Sequence, residues 1–155
     1  MSELRGLTLA IEIATKHRNV CQGHLALAQR NVHQDQDQLN QLQAYALDKD
    51  TRWTQGGLSN FSGEIVKHHY QFMDRLQQAM SQQAGVIRSS EAVVTNMAST
   101  LLEAEVRLAG LNEILQRRLR DKEVLSRKRE QKQTDEFAAQ QYARRRGEYE
   151  LGEVL

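Results

Sequence analysis

The sequence has no proline and few aromatic residues. Average usage would give a chain of 155 residues about eight prolines, and only 5% of its residues are aromatic. A β-sandwich or barrel needs proline-punctuated turns and strands rich in β-branched or aromatic residues, so that class is excluded. A disordered chain would contain more proline and less regularly spaced leucine. These absences favour long helices, whose surface is too large for their length to enclose a deep pocket.

Cysteine and long apolar runs are also scarce. Cys21 is the only cysteine, which excludes an intramolecular disulfide framework and a cysteine-based zinc site, and its simplest role is packing. Glu12 interrupts the apolar N-terminal stretch before a signal-peptide core could form. No run approaches the roughly 18 apolar residues of a membrane span. The expectation is a soluble cytoplasmic protein.

Charge is balanced overall but unevenly distributed. The chain has 21 basic and 20 acidic residues, a net charge of +1. Residues 117–146 carry eleven Lys or Arg and five Asp or Glu, a net charge of +6, so the rest of the chain has a net charge of −5. One end is therefore basic, and the remainder is acidic.

A heptad pattern predicts a first helix at about residues 3–47. Apolar residues follow three-four spacing, which places them along one stripe of the helix. Arg18 and Asp35 interrupt this stripe, and such polar core positions often specify register at a cost in stability. The stripe comprises Leu4, Leu7, Ile11, Ala14, Cys21, Leu25, Ala28, Val32, Leu39, Leu42 and Ala46.

The pattern stops at residues 48–63, which predicts a turn. Ser59 or Ser62 could cap the next helix. Trp53 lies inside the predicted turn, where it either closes the hairpin tip or faces a partner, and the sequence leaves both roles open. The turn and breaker residues are Asp48, Asp50, Gly56, Gly57, Asn60 and Gly63.

A second apolar pattern predicts a helix at about residues 64–146, with Gly147 as its C-terminal cap and a tail at 147–155. Met97 and Leu101 end two consecutive steps of four, a stutter that locally relaxes a left-handed supercoil. The predicted seam comprises Ile65, His69, Phe72, Leu76, Ala79, Gln83, Val86, Ser90, Val93, Met97, Leu101, Ala104, Leu108, Leu111 and Leu115.

Together the two helices predict an all-α fold, an antiparallel coiled-coil hairpin that forms a single domain over residues 1–155. Folding back at the turn would bring Leu4 close to residues 105–110. The second helix would then overhang the first from about Leu111 onward. The overhang coincides with the basic cluster, so the hairpin has a projecting basic arm.

The motifs of common enzymes are missing. Gly56 and Gly57 are not followed by a phosphate-binding Lys-Ser or Lys-Thr pair. The five histidines form no His-Glu-x-x-His sequence, and His17 and His24 are too far apart on a helix to share a metal ion. We therefore expect no catalytic residues, no metal site, no cofactor and no enzymatic activity.

The basic arm leaves three roles open: a solvated charged face, docking into an acidic or polar protein cavity, and binding of nucleic acid. Acidic residues interleave with the basic ones at helical spacing, whereas a helix that tracks phosphates would be more uniformly basic. The candidate residues are Arg117, Arg118, Arg120, Lys122, Arg127, Lys128, Arg129, Lys132, Asp135, Glu136 and Phe137.

A second candidate surface lies near the turn. Three residues on each predicted helix share the spacing i, i+4, i+7 and would lie at similar heights in the hairpin. Core packing is their simplest role, although Tyr45 falls one step off its seam and would project outward, as an aromatic docking edge would. The six residues are Gln38, Leu42, Tyr45, Phe72, Leu76 and Ala79.

The C-terminal part of the chain resembles the signature of the FliJ family, a small soluble component of the bacterial flagellar type III export apparatus. The start of the second helix and the end of the first are also similar to that family, and the length and hairpin layout match over essentially the whole chain. The resembling residues are Arg129-Glu130-Gln131-Lys132, Asp135-Glu136-Phe137-Ala138, Tyr70-Gln71-Phe72, Leu76, Gln77, Ala79, Met80, Gln38, Leu39, Leu42 and Tyr45.

The resemblance implies a function. FliJ-like proteins are two-helix coiled coils that associate with the hexameric export ATPase, promote its ring assembly and activity, and contact the export gate and escort chaperones. By resemblance the ring-facing part is residues 4–11 with the basic arm, and the gate-binding patch is the six residues near the turn. Lys49 and Gln83 depart from that patch, since an aromatic residue and a histidine would extend it.

The resulting hypothesis is a non-catalytic stalk, monomeric when isolated, that acts in the cytoplasm at the inner membrane of the flagellar base. A proline-free second helix longer than about 100 Å would suit such a rod. Two alternatives remain. One is a generic coiled-coil scaffold that self-associates, and the other is a helical protein whose arm binds nucleic acid.

Overall fold

Two long helices make up the described part of the protein. The computed structural model describes residues 2–56 and 62–154. Helix α1 spans Ser2–Gln55 and helix α2 spans Gly63–Val154, and the two pack against each other as an antiparallel hairpin. The predicted all-α coiled-coil hairpin, with a second helix longer than the first, is confirmed.

The helical packing divides into two compact units, each of which includes part of both helices. Unit 1 consists of Met1–Glu12 and Ala109–Leu155. Unit 2 consists of Ile13–Leu108. The candidate patch near the turn belongs to unit 2, and the basic arm belongs to unit 1.

Helix α1 is longer than its sequence pattern predicts. It ends at Gln55 and so includes the first eight residues of the predicted turn at 48–63. Aspartate is only a weak helix breaker, and here Asp48 also forms an exposed ion pair with Arg52 one turn later, at 3.4 Å. Only at Gly56, whose N–H donates to the Arg52 carbonyl at 3.0 Å, does the helix stop.

Helix α2 begins at a serine cap, which is Ser62, one of the two serines that the sequence analysis predicts. The Ser62 hydroxyl accepts a hydrogen bond from the Ile65 N–H at 3.4 Å, which satisfies one of the free donors of the first turn. The other alternative, Ser59, and the predicted turn residues Gly57 and Asn60 lie outside the described residues.

Helix α2 does not end at Gly147, where the sequence predicts a cap. It continues to Val154, and Arg146 forms an ion pair with Glu150 at 3.9 Å across the glycine. A glycine inside a helix costs about 1 kcal/mol relative to alanine, which is too little to stop a helix that meets no proline. The predicted tail at 147–155 is therefore helical through Val154.

The apolar stripe of α1 is confirmed by its burial. Four small side chains on it, Ala14, Cys21, Ala28 and Ala46, are buried. Small residues at these positions let the two helices approach closely. The stripe also extends beyond its predicted end, because half-buried Trp53 continues the same spacing.

The seam of α2 has a different phase from the predicted one. Phe72, Val86 and Val93, which the sequence analysis places in the seam, are 39%, 46% and 46% exposed. The residues that follow them along the chain are half-buried or, at Ile87, buried. The observed seam is Val66, His69, Met73, Leu76, Met80, Gln83, Ile87, Ser90, Val94, Met97, Leu101, Ala104, Leu108, Leu111 and Leu115.

This corrected seam follows three-four spacing without a break. The predicted stutter at Met97 and Leu101 is therefore wrong. It arose because every second predicted seam position from Ile65 to Val93 lies one residue before the true one, whereas the positions between them and all those from Met97 onward are correct. The heptad pattern is regular from Val66 to Leu115.

A polar layer interrupts the core of unit 2 at Asp35, as the pattern predicts. The Ser90 hydroxyl donates to Asp35 Oδ2 at 2.6 Å. Gln83 Nε2 donates to the Asp35 carbonyl at 2.8 Å. These partners satisfy polar groups in the seam that would otherwise lose hydrogen bonds to water.

Within unit 1 the first turns of α1 lie farther along α2 than predicted. Glu3 forms an ion pair with Arg118 at 3.5 Å, and Leu4 and Leu125 line one groove. The prediction that Leu4 lies close to residues 105–110 is wrong, because α1 is longer and the turn shorter than expected. The overhang accordingly does not begin at Leu111, which is half-buried.

Candidate docking surfaces

Two of the six predicted patch residues form an aromatic contact between the helices of unit 2. Tyr45 and Phe72 contact each other edge to face, with ring centroids 6.1 Å apart. Both rings are partly exposed, Tyr45 at 46% and Phe72 at 39%. An exposed aromatic pair anchored on two helices offers a partner a large apolar contact area at little cost in side-chain entropy.

The other four patch residues differ in burial. Leu76 is buried and belongs to the core, while Leu42 and Ala79 are half-buried at its edge. Gln38 is exposed. We name the set of Gln38, Leu42, Tyr45, Phe72, Leu76 and Ala79 the aromatic patch.

Two residues that depart from the family pattern also lie at the aromatic patch. Lys49 Nζ is 5.5 Å from the centroid of the Tyr45 ring, within range of a cation–π interaction. Gln83 Nε2 donates to Gln38 Oε1 at 3.2 Å. The sequence analysis missed these contacts, although the i, i+4 spacing of Tyr45 and Lys49 was a signal for the first. In this chain the aromatic patch therefore has a polar, cationic border.

Trp53 packs against α2 near the C-terminal end of α1. Its ring stacks on His69 at a centroid distance of 3.9 Å and an interplanar angle of 4°, and the residue is half-buried. His69 in turn contacts Tyr70 edge to face at 5.7 Å. Of the two roles that the sequence leaves open, the structure supports closing of the hairpin tip.

The arm has no buried residue: every residue from Gln116 to Arg146 is exposed. Continuing the three-four spacing of the seam beyond Leu115 reaches Arg118, Lys122, Leu125 and Arg129, so cations replace all but one of the apolar positions. Beyond the groove that Leu125 lines with Leu4, the arm has little basis for packing tightly against another helix. We use the name arm for residues 116–146.

Few of the cations in the arm are neutralised by neighbours. Arg117 pairs with Glu113 at 2.8 Å and Arg127 pairs with Glu123 at 2.7 Å, both at i, i+4 spacing. Within residues 2–56 and 62–154, seven further arm cations have no carboxylate within 4.0 Å: Arg120, Lys122, Lys128, Arg129, Lys132, Arg144 and Arg145.

The remaining predicted arm residues are equally accessible. Asp135 accepts a hydrogen bond from Gln131 at 3.2 Å, and Glu136 is exposed. Phe137 is 61% exposed. The structure therefore places all the predicted arm residues on one exposed helix, and of these Arg118 and Lys122 line a groove with Glu3 and Leu4 of the N-terminal turns.

Cys21 and His17 form a close pair of metal-binding side-chain types on α1. The Cys21 Sγ lies 3.7 Å from His17 Nε2, one helical turn away. Cys21 is 4% exposed, which confirms its predicted packing role. Across the described residues, no three His, Cys, Asp or Glu side chains lie close enough together to hold a metal ion.

Comparison with known families shows which family the chain belongs to. A sequence model described as the flagellar FliJ protein matches residues 5–147, nearly the whole chain. The chain belongs to the FliJ family. Both the aromatic patch and the arm lie inside the matched region. No curated protein and no solved structure matches the chain.

Membership in the FliJ family makes the chain a component of the flagellar protein export apparatus, and the family is a non-catalytic component of that apparatus. In the described parts of α1 and α2, no stretch is both long and apolar enough to cross a membrane.

Proposed function

We propose that the chain is a non-catalytic stalk of the export apparatus, and that its arm promotes assembly and activity of the export ATPase ring. The observation that carries this proposal is the arm itself, a surface helix from Gln116 to Arg146 with no buried residue and with seven cations that lack a nearby carboxylate. Family membership supports the choice of partner.

The chemistry of the arm suits weak and reversible seating. Charged groups at the rim of an interface affect encounter and specificity more than they affect overall affinity, and salt screens them. A tightly packed apolar plug would leave a ring of identical subunits slowly. An exposed, mainly cationic helix can instead be held by polar or acidic ring surfaces and released again.

The test is the steady-state rate of ATP hydrolysis by the cognate export ATPase. A truncation after Ser126 keeps the groove that Leu4 and Leu125 line, so it removes the distal arm and spares the contacts of the N-terminal turns. We expect the full chain to stimulate hydrolysis and the truncation to lose most of that stimulation. Equal stimulation by both would move the ring contact to the N-terminal turns or to the hairpin body.

A charge variant separates arm charge from arm length. Neutralising four arm cations should weaken stimulation, and raising the salt concentration from about 0.1 M to about 0.5 M should have a similar effect on the unaltered chain. Neutralising four exposed cations of unit 2 is the matched control and should leave stimulation intact. The arm substitutions are Arg127→Gln, Lys128→Gln, Arg129→Gln and Lys132→Gln, and the control substitutions are Arg52→Gln, Lys67→Gln, Arg75→Gln and Arg88→Gln.

We also propose that the aromatic patch binds the cytoplasmic domain of the export gate. The edge-to-face pair of Tyr45 and Phe72 supports this, because exposed aromatic anchors dominate many protein interfaces. Replacing both with alanine should weaken gate binding in calorimetry by about tenfold or more. Tyr70→Ala is the matched control, since Tyr70 is 62% exposed on the same helix but outside the patch. Equal losses from the two variants would count against the patch.

The remaining parts of the proposal concern partners and location. We infer contacts with flagellar escort chaperones, a place in the cytoplasm at the inner membrane of the flagellar base, and a monomeric state for the isolated chain. Light scattering tests the last of these directly. A stable dimer or tetramer would instead favour the self-associating scaffold, and steeply salt-dependent binding of DNA would favour the nucleic-acid alternative.

A further inference from the structure

The exposed apolar side chains of unit 2 are not scattered over α1. Ile13, Val20 and Leu27 are 61%, 54% and 52% exposed. They are spaced seven residues apart, so they lie on one stripe of the helix, away from its buried stripe. None of the three belongs to the aromatic patch.

A second stripe lies on α2. Val86 and Val93 are each 46% exposed. They follow Phe72 at multiples of seven residues and therefore continue its flank of the helix. The flank that carries Phe72 in the aromatic patch thus remains apolar for three further heptads.

The two stripes border the same side of unit 2. The contact of Phe72 with Tyr45 identifies the flank of α1 that faces the α2 stripe. Because the helices are antiparallel, a step of three heptads back from Tyr45 along α1 and three forward from Phe72 along α2 reaches another facing pair. That pair is His24 and Val93. His24 lies i+4 from Val20 and i−3 from Leu27, positions that are neighbours on a helix surface. The α1 stripe is therefore on the same side as the α2 stripe, separated from it by the row of His17, His24 and Asn31.

The surroundings of these stripes are cationic. From residue 13 to residue 34, α1 contains Lys16, Arg18 and Arg30 but no Asp or Glu. Lys16 and Arg30 are three residues after Ile13 and Leu27, so they flank the apolar stripe. At the corresponding height on α2, residues 83–104 contribute one cation and two carboxylates: Arg88, Glu91 and Glu103. Here the net charge of the face is positive.

We infer that this face, which we name the second face and define as Ile13, Val20, Leu27, Val86 and Val93, docks an amphipathic helix of another protein whose apolar stripe is bordered by Asp or Glu. A helix laid along two apolar stripes would complete a three-helix packing arrangement, with its acidic border against Lys16 and Arg30. This surface is additional to the proposed gate contact of the aromatic patch.

Charge argues against a second copy of the chain as the occupant. Pairing the second face with itself would place its cations opposite the same cations of the other copy. The arm of a second copy is also basic, with a net charge of +6 over residues 117–146. Like charges at an interface oppose association, so an acidic partner fits this face better than either surface.

The opposite flank of α1 provides a matched control. Gln22 and Gln29 lie at the same height as the α1 stripe and are exposed, but they are polar. Substituting two aspartates there changes the charge of unit 2 by as much as two aspartates at Val20 and Leu27. Any difference between the two double variants therefore reports position rather than net charge.

The experiment measures binding of two synthetic peptides to the full chain by fluorescence anisotropy. Each peptide is a helix of about four heptads with leucine at the stripe positions. The bordering positions are Glu in one peptide and Lys in the other. We expect the Glu-bordered peptide to bind, and the Lys-bordered peptide to bind at least about tenfold more weakly.

In the chain, V20D with L27D should weaken binding of the Glu-bordered peptide by about tenfold or more, because two apolar contacts are lost and like charges are added. Q22D with Q29D should change it by less than about threefold. Equal binding of both peptides, or equal losses from both double variants, would overturn the inference. So would a dimer of the chain that V20D with L27D dissociates, since a second copy would then be the occupant.

Discussion

The two parts of α2 on either side of Leu115 have the same secondary structure but are stabilised differently. From Val66 to Leu115, two positions in every heptad are buried or half-buried in an apolar seam. From Gln116 to Arg146, every residue is exposed, and beyond the groove that Leu125 lines with Leu4 the helix depends on backbone hydrogen bonds, helix propensity and pairs such as Arg127 with Glu123. Isolated helices are marginal in water, and this distal part lacks the tertiary packing that stabilises the first part.

This difference separates stability from function along one helix. The seam tolerates few changes because each one alters packing across the hairpin. The arm can change its charges with little effect on the fold, which leaves its sequence free to match a partner. The predictions below test whether the two parts of α2 are as independent as their packing indicates.

The largest effect should come from proline. Ala92 and Ala138 are both exposed residues inside α2. Ala92 lies in the part of the helix that carries the seam, and Ala138 lies in the arm. Ala92→Pro should cost about 3 kcal/mol or more and abolish or sharply weaken cooperative unfolding in urea. Ala138→Pro should leave the unfolding midpoint unchanged and accelerate hydrogen exchange in the arm alone. A comparable loss of global stability from both would show that the arm and the seam fold as one unit.

The next effect tests the phase of the seam. Ile87 is 8% exposed, whereas its neighbour Val86 is 46% exposed. Ile87→Ala should lower the free energy of unfolding by about 2–3 kcal/mol through lost burial and a residual cavity. Val86→Ala should change it by about 0.5 kcal/mol or less. Urea denaturation of the two single variants measures both losses. A larger loss from Val86→Ala than from Ile87→Ala would instead support the seam through Phe72 and Val86.

The phase of this seam could not be read from α2 alone. Along its first half the sequence offers two adjacent apolar residues in nearly every heptad, such as Phe72 with Met73 and Val86 with Ile87. Either member of each pair gives a three-four pattern. The choice depends on which member faces the small side chains of α1, which is a tertiary property. The existence of two helices, in contrast, follows from the spacing and from the absence of proline.

The ends of the helices show a similar limit. Asp48 and Gly147 are weak helix breakers, and the helices continue through them, with exposed ion pairs from Asp48 to Arg52 and from Arg146 to Glu150. Placement of the candidate surfaces was more predictable, since residues i, i+4 and i+7 on two helices meet wherever the hairpin aligns them. The second face was missed because its α2 residues Val86 and Val93 were assigned to the core.

A smaller effect is expected at the polar layer of unit 2. Ser90→Ala removes the donor to Asp35 Oδ2 and leaves a half-buried carboxylate with one hydrogen bond fewer. The expected loss is about 1 kcal/mol in urea denaturation. Ser89→Ala is the matched control because Ser89 is exposed. Equal effects of the two substitutions would mean that the hydrogen bond between the helices adds nothing to stability.

The smallest effect belongs to the arm, where no packing amplifies a change. Glu123→Gln removes the ion pair with Arg127. It should lower the free energy of local helix opening in the arm by about 0.3–0.5 kcal/mol, as measured by amide hydrogen exchange at low salt. Glu130→Gln is the control, since no basic nitrogen of the described chain lies within 4.0 Å of its carboxylate. High salt should erase the difference between the two variants, because exposed charges are screened. A loss that persisted at high salt, or that reached the seam, would mean that the arm is coupled to the hairpin through contacts other than charge.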